Sequence, residues 1–391
     1  MENNLRKFNE NNIIVDNILY NKNIENNAKF IKKRNPGIDI VRLISTYCII
    51  VHHFYYLGRG LQKYYKYKKQ LKILEVIIFW HVDAFALISG IIGYKGNKYS
   101  NLLYLWFSVF FYSVVFHIYF SKILQNSIRI EFFPMIYERY WYFTAYFGMY
   151  LFLPVINKGI SFLSQSELKL VVISTLGIFS FWRYHKNPLR DIFHLFRGGS
   201  TLWLMTFYLT GAYIGKYRKY YKGIKKYIKC FIYLFIYSFS TFISYKLYNN
   251  ELYLGNGYYS QKIVMLLKRQ INKNYDSLIK IIQSISITLF FMQIEYNKYL
   301  SLIITFFGKL SFGIYLIHVN QLVLNKIFFK IFINDPNDLT LFSIIILFLL
   351  KGLKIFFICA FIDYLRLLLF SFLRIRKISI FFEKIILKIF K

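Results

Sequence analysis

Cysteine is scarce in this chain of 391 residues, which contains three in all. Cys48, Cys230 and Cys359 are far apart, and each lies in an apolar stretch. Isolated thiols provide neither a disulfide framework nor the paired spacing of a zinc site. His185 and His194 are well separated and lack a third ligand, so the sequence predicts no metal site.

Several short functional motifs are also missing. The sequence has no glycine-rich phosphate-binding loop and no serine in the setting of a nucleophile elbow. The first 35 residues hold 11 asparagines, are polar, and do not match the pattern of a signal peptide. We expect residues 1–36 to form a mobile tail.

Acidic residues are few, since 18 Asp and Glu stand against 51 Lys and Arg, a formal net charge of +33. On a soluble chain this excess would indicate a nucleic-acid partner. Here the basic residues lie mostly between apolar runs, and Lys and Asn are abundant throughout. We therefore expect the charges to be solvated or to contact anionic membrane lipids, and we expect no nucleic-acid partner.

Apolar and aromatic residues are abundant, at 57% and 21% of the chain. Apolar runs near the length of a membrane span recur along the whole sequence. The pattern predicts an all-α, polytopic membrane bundle of about ten transmembrane helices. The predicted spans are Ile38–Leu57, Ile73–Tyr94, Leu102–Phe120, Tyr140–Ile156, Leu168–Phe181, Leu202–Ile214, Ile228–Leu247, Leu278–Ile294, Leu302–Val323 and Leu341–Leu365.

The basic residues also predict an orientation. An even number of spans puts both termini on one side, and basic residues at 32–34 and after Leu365 favour the cytoplasm. The basic connection between residues 214 and 228 falls on the same side, whereas the basic Arg59–Lys72 loop falls outside and counts against this orientation. Residues 371–391 are basic and amphipathic, and we expect them to lie along the membrane surface, the alternative being an eleventh short span.

The first span carries Asp39, Arg42, His52 and His53. A charge inside a span costs about 2.5–3.5 kcal/mol on insertion scales, so such residues are functional candidates. At about 100° per residue, Arg42 and His53 differ by about 20° in direction and lie about 16 Å apart along the axis. Asp39 shares this stripe, whereas His52 points about 100° away from His53.

The stripe has two interpretations. In the functional one it lines a channel, with a cationic anchor near the cytoplasmic mouth and a titratable base deeper inside. In the structural one Asp39 and Arg42 are interfacial charges and His53 is a packed polar residue. The first interpretation suits a reaction that transfers a group across a membrane.

Other polar residues near the spans are further candidates for substrate binding. Asp83 lies in an apolar stretch, and we expect it either to be functional or to pair with His81 or Arg42. Ser89 and Gly90 end a span, where a small pair serves either a site or the close approach of two helices.

Aromatic residues and one histidine are the remaining candidates for substrate binding. His318 follows Tyr315 by one helical turn and is either a buried histidine or a second wall of the pocket. Trp141, Tyr142 and Trp203 are typical of the aromatic belt at the membrane interface. We retain Trp141 and Tyr142, with Tyr315 and His318, as candidate contacts to the substrate.

Five segments of this chain together resemble the acyltransferase 3 family of membrane proteins. The first span of that family carries an Arg, ten intervening residues and a His, which Arg42 and His53 match. The likeness covers roughly residues 37–370, which we take as the membrane domain. In chain order the segments are GIDIVRLISTYCIIVHHF, FALISGIIGY (Phe85–Tyr94), WYFTAYFGMYLFLPVIN (Trp141–Asn157), LWLMTFYLTGAYIGKY (Leu202–Tyr217) and FGIYLIHVN (Phe312–Asn320).

The resemblance implies roles for particular residues. His53 would deprotonate an acceptor hydroxyl or carry the acyl group, and Arg42 would hold anionic parts of coenzyme A or orient the site. Asp39, one turn before Arg42, is the third candidate catalytic residue. Many relatives have an arginine-rich stretch after the second segment, where this chain has Lys95 and Lys98. Lysine keeps the charge but lacks the bidentate fork of arginine.

We therefore predict a multi-pass membrane enzyme of the cell or plasma membrane. It would move an acyl group, usually acetyl, from cytoplasmic acetyl-CoA or another acyl-CoA, without a metal. The acceptor would be a hydroxyl of a cell-surface polysaccharide, a lipid-linked sugar or a lipid. The alternative is a transporter or flippase for a sugar-linked lipid, but the inverted repeats typical of many transporters are not evident in this sequence.

Overall fold

The computed structural model describes residues 34–96, 98–124, 140–182, 191–217, 224–248 and 274–389. The predicted N-terminal tail lies almost wholly outside these ranges. The chain divides into two units, Met1–Pro36 and Gly37–Lys391, and the second contains the features discussed below. Over the described ranges the regular structure is helical, without a β-strand, which confirms the predicted all-α class.

The helices follow the apolar runs of the sequence. Short 3₁₀ turns lie at Tyr65–Tyr67, Phe196–Gly198 and Phe328–Lys330. In the described part of the chain the α-helices are α1 (Pro36–Tyr56), α2 (Gly60–Lys63), α3 (Lys68–Ile78), α4 (His81–Gly93), α5 (Tyr99–Leu124), α6 (Trp141–Phe162), α7 (Gln165–Trp182), α8 (Thr201–Tyr217), α9 (Lys226–Tyr248), α10 (Leu278–Gln293), α11 (Lys298–His318), α12 (Gln321–Lys326), α13 (Leu341–Phe372) and α14 (Ile375–Ile389).

Six described segments are long and apolar enough to cross a membrane. The other four predicted spans overlap α6, α7, α8 and α10, which are shorter or less apolar. The apolar window of α1 is 61% buried inside the bundle and that of α9 only 11%, so α1 is central and α9 peripheral. The six segments are Pro36–Tyr56, Tyr65–Gly93, Tyr99–Phe120, Lys226–Leu247, Lys298–His318 and Leu341–Phe372.

Glycines permit the close packing of α4 against α8. A β-carbon on Gly90 would lie 2.0 Å from the carbonyl oxygen of Tyr208, and one on Gly211 would lie 2.0 Å from that of Leu87. Because only hydrogen fits at these two positions, the backbones approach as they do in small-residue membrane interfaces. This contact favours the packing interpretation of the Ser89-Gly90 pair.

The second predicted span is broken, although the sequence pattern predicts one continuous helix. Helix α3 ends at Ile78 and α4 begins at His81. The ammonium group of Lys280, from α10, donates to the carbonyl oxygen of Val76 at 2.7 Å. In an unbroken helix that carbonyl would accept from the amide of Trp80. A side chain distant in sequence therefore satisfies the backbone group that the break exposes.

The last predicted span is longer than expected. We predicted its end at Leu365, but α13 continues to Phe372. Arg366, which the pattern assigned to the basic stretch after the span, is buried and donates to both carboxylate oxygens of Asp363, at 2.6 and 3.1 Å. Tyr112 also donates to Asp363, at 2.7 Å. The paired carboxylate lets the guanidinium lie inside the bundle.

Helix α14 follows within the predicted C-terminal tail. It packs against α5, and Arg376 donates to the side chain of Asn101 at 2.6 Å. Its placement along the membrane surface stays a prediction.

Candidate functional site

Helix α1 carries an ion pair near its N-terminal end. Arg42 donates to a carboxylate oxygen of Asp39 at 2.8 Å. The Asp39 side chain is fully buried, whereas 24% of the Arg42 side chain is accessible. Asp39 packs against α11 at Gly308, where a β-carbon would lie 2.8 Å from that of Asp39. The buried acid thus positions a guanidinium that still has accessible surface.

At the other end of α1, His53 faces His318 of α11. Their ring centres are 5.4 Å apart. His318 is fully buried, and its Nδ1 lies 2.7 Å from the carbonyl oxygen of Ile314. Because a carbonyl only accepts, neutral His318 carries its proton on Nδ1 and presents a lone pair on Nε2. Within the described structure, His53 Nδ1 and His318 Nε2 have no hydrogen-bond partner.

A row of tyrosines lies along one side of α6. Tyr142, Tyr146 and Tyr150 are spaced by four residues and share one helix face, which we call the tyrosine face. Successive ring centres are 6.2 and 6.0 Å apart. At one end, Tyr142 lies 6.1 Å from the ring of Tyr315 on α11. At the other, Tyr150 donates to the carbonyl oxygen of Lys98 at 2.9 Å.

The tyrosine face connects the ion pair to the histidines. The hydroxyl groups of Ser89 and Tyr146 are 3.5 Å apart, and Arg42 is close enough to Tyr146 to interact electrostatically. The ring of Tyr315 lies 6.2 Å from that of His318. Polar groups therefore follow one another through the bundle from Arg42 to the histidine pair.

Asp83 has a partner other than the one expected. It is fully buried and accepts from the indole nitrogen of Trp203 at 3.0 Å. Its second oxygen and both ring nitrogens of His81 lack hydrogen-bond partners in the described part of the chain, so the expected pairing with His81 or Arg42 is wrong. Trp203 is likewise fully buried, which corrects its assignment to the interfacial belt. The close packing of α4 and α8 brings these two residues together.

Two charged residues that we did not single out lie near this site. Glu75, on α3, accepts from the hydroxyl of Tyr56 at 2.5 Å and lies 3.6 Å from Nδ1 of His52. Lys280 is buried and also donates to Gln283 at 3.0 Å. Both residues are charges within apolar runs, and that sequence pattern could have identified them as candidates.

Aromatic rings border the histidine end. Tyr275 stacks on Phe79 at 4.7 Å and on Trp141 at 6.0 Å. Trp141 is 36% exposed, in keeping with a position at the edge of the bundle. Lys95 and Lys98 are exposed at the opposite end, just beyond α4.

Over the described ranges, no group of three or more His, Cys, Asp or Glu side chains is placed to hold a metal ion. The fold and this arrangement define a polytopic α-helical membrane protein with polar residues inside its bundle.

Comparison with known families identifies the group to which it belongs. The acyltransferase 3 family, described as an acyltransferase domain, matches residues 35–362. The chain therefore belongs to the acyltransferase 3 family and is an acyltransferase, as its five sequence segments suggested. No curated protein and no solved structure matches the chain.

Proposed function

We propose that this protein transfers an acyl group, in the simplest case acetyl, from cytoplasmic acyl-CoA to a hydroxyl group. The acceptor is a cell-surface polysaccharide, a lipid-linked sugar or a lipid, and the enzyme is a multi-pass protein of the cell membrane with both termini in the cytoplasm. The observation that carries the proposal is the polar path from Arg42, along the tyrosine face, to His53 and His318.

His53 acts as the general base in this proposal. As the acceptor oxygen bonds to the thioester carbonyl carbon, its proton passes to His53. The carbon–sulfur bond then breaks, and the sulfur takes the proton from the imidazolium to leave as the free thiol of CoA. The products are an ester and CoA.

His318 supports the base by its fixed tautomer. Its Nδ1 is engaged by the Ile314 carbonyl, so the lone pair on Nε2 can accept a hydrogen bond beside His53. Tyr142, whose hydroxyl lacks a hydrogen-bond partner among the described residues, is a donor or acceptor for a hydroxyl-bearing substrate. Asp83, Ser89, Trp141 and Tyr315 are proposed contacts to the acceptor or to the acyl group.

Arg42 and the lysines provide the positive charge for the donor. CoA is anionic and does not cross a membrane, so only its acyl group has to pass the bundle. Arg42 lies about 16 Å along α1 from His53 at 1.5 Å per residue. Arg42, with Lys95 and Lys98 at the same end, therefore suits the anionic donor, and His53 suits the reacting hydroxyl.

The function is tested with purified protein in nanodiscs. Acetyl-CoA is added without acceptor, and release of free thiol is followed, since an acyltransferase with a bound thioester hydrolyses it slowly. Mass spectrometry of surface glycans and lipids from cells with and without the protein then identifies the ester. Absence of thiol release and of any ester difference would contradict the proposal and favour a transporter.

A further inference from the structure

The connection from α11 to α13 lies at the end of the bundle that carries His53. Helix α11 ends there at His318. The start of α13 is at the same end, because the rings of Phe348 and Phe54 are 5.9 Å apart. We call residues 321–335 of this connection, which include α12 and a 3₁₀ turn, the covering segment.

Phe328 extends from the covering segment onto the histidine pair. Its ring centre lies 6.4 Å from that of His53 and 6.2 Å from that of His318. The side chain is 1% exposed, and its ring also lies 5.7 Å from that of Phe54. Nδ1 of His53 and Nε2 of His318 are buried. An apolar ring therefore borders both imidazoles of the proposed reaction, and no water can occupy the volume that it fills.

Two lysines hold the covering segment just after the 3₁₀ turn. Lys63, on α2, donates to the carbonyl oxygens of Ile333 and Asp335 at 3.3 and 2.6 Å. Lys351, on α13, donates to the carbonyl oxygen of Ile331 at 2.5 Å and to the carboxylate of Asp335 at 2.5 Å. A charge within an apolar helix is costly unless it is paired. The segment is thus tied to two helices by contacts that also satisfy the two ammonium groups.

A thioester beside a general base can react with water as well as with an acceptor. In the reaction with water, the water oxygen bonds to the thioester carbonyl carbon and one proton passes to His53. The carbon–sulfur bond breaks, and the sulfur takes the proton from the imidazolium. The products are the free acid and CoA, so the donor is consumed without forming an ester. Exclusion of water from the site prevents this side reaction.

We propose that Phe328 determines the specificity of this enzyme for an acceptor hydroxyl over water, and that Lys63 and Lys351 hold its ring in place. Displacing the ring from the histidines costs free energy. An acceptor offsets that cost with contacts made by the rest of its structure, whereas a water molecule has no such contacts. This inference rests on the acyl transfer proposed above.

The first test follows release of free thiol from acetyl-CoA in nanodiscs without acceptor. Phe328→Ala should release thiol several fold faster than wild type, because the shorter side chain leaves room for water, which takes about 30 Å³ per molecule in the liquid. Phe328→Leu keeps an apolar side chain of similar length and should stay close to wild type. Damage to the fold would lower thiol release, so an increase separates specificity from stability.

Phe329→Ala is the matched control for this test. Phe329 is the next residue on the same 3₁₀ turn, and its ring lies 5.5 Å from the guanidinium of Arg59. This variant should release thiol at the wild-type rate. Thiol release by Phe328→Ala at or below the wild-type rate would overturn the proposal.

The second test asks whether the lysines act through Phe328. Lys351→Met should also raise thiol release in the absence of acceptor, but it should add nothing in a Phe328→Ala background. Lys354→Met, at an exposed lysine on the same helix, is the control and should behave as wild type. Additive effects of Lys351→Met and Phe328→Ala would show that Lys351 does not act by holding the ring.

The third test measures access to the histidines without catalysis. Diethyl pyrocarbonate modifies an unprotonated imidazole nitrogen, and mass spectrometry measures the rate of modification at His318. That rate should rise several fold in Phe328→Ala and stay unchanged in Phe329→Ala. If no form of the protein releases thiol or forms an ester but the modification rate responds, the proposed function fails and Phe328 still covers the histidines. If the wild type forms ester and neither rate changes in Phe328→Ala, the function stands and this inference is wrong.

Discussion

At the scale of single residues, His52 and His53 are neighbours in the chain with different surroundings. His52 lies beside Glu75 and His81, whereas His53 lies beside His318. We expect His53→Ala to reduce acyl transfer by about 10²–10⁴-fold, the usual contribution of a general base. His52→Ala should keep most of the activity. Ester formation by membranes with matched expression measures both.

The pH profile adds a second readout for His53. A protonated imidazole cannot accept the proton of the hydroxyl, so wild-type activity should fall on the acidic side. The residual activity of His53→Ala should not show this fall at acidic pH. If His53→Ala kept wild-type activity, His53 would have no catalytic role. If only His52→Ala lost activity, His52 would be the base.

Arg42 is distinguished from a helix-end charge by its planar head group. Arg42→Lys keeps the charge but loses the fork that binds a carboxylate or phosphate through two parallel hydrogen bonds. We expect about a tenfold loss in kcat/KM for acyl-CoA, as for one charge-assisted hydrogen bond. Arg34→Lys, at an exposed arginine before α1, is the control and should behave as wild type. Indistinguishable kinetics of the two variants would remove Arg42 from the donor site.

At the scale of helices, the contact of α4 with α8 depends on two glycines. In Gly211→Ala the new methyl group would meet the carbonyl oxygen of Leu87, which belongs to the backbone and cannot rotate away. The helices have to separate, at a cost of about 1–3 kcal/mol. The separation would also strain the hydrogen bond from Trp203 to Asp83. We expect a lower thermal midpoint in detergent and reduced activity.

Gly177→Ala on α7 is the matched control. A β-carbon at Gly177 meets nothing within 4 Å. Alanine is also favoured over glycine in a helix by about 1 kcal/mol, so this variant should be as stable as wild type or more stable. Equal midpoints for Gly211→Ala and Gly177→Ala would show that the close approach is not required.

At the scale of the whole molecule, the orientation in the membrane decides whether the proposed cytoplasmic donor can reach the end of the bundle that carries Arg42, Lys95 and Lys98. Gln62 is exposed in the predicted outer loop, and Ser164 is exposed between α6 and α7 at the other end. In a background without Cys48, Cys230 and Cys359, we expect a membrane-impermeant maleimide to label Gln62→Cys in intact cells. Ser164→Cys should react only after lysis. The reverse pattern would place that end of the bundle outside the cell.

The sequence alone determined the class of this protein, because apolar runs and motif spacing are local properties. Runs near the length of a span predict an all-α membrane bundle whatever the packing, and the spacing from Arg42 to His53 indicates the family. Both conclusions are confirmed by the helices and by the match over residues 35–362.

Only the tertiary structure decided which side chains meet. At the break between α3 and α4, the Val76 carbonyl meets Lys280, about 200 residues later in the chain, and Asp83 meets Trp203 because α4 and α8 pack closely. The approach of His318 to His53 likewise depends on how α11 lies against α1. Bringing distant segments together costs chain entropy, which only the packing of the whole bundle offsets. Such contacts are therefore not encoded in any one segment.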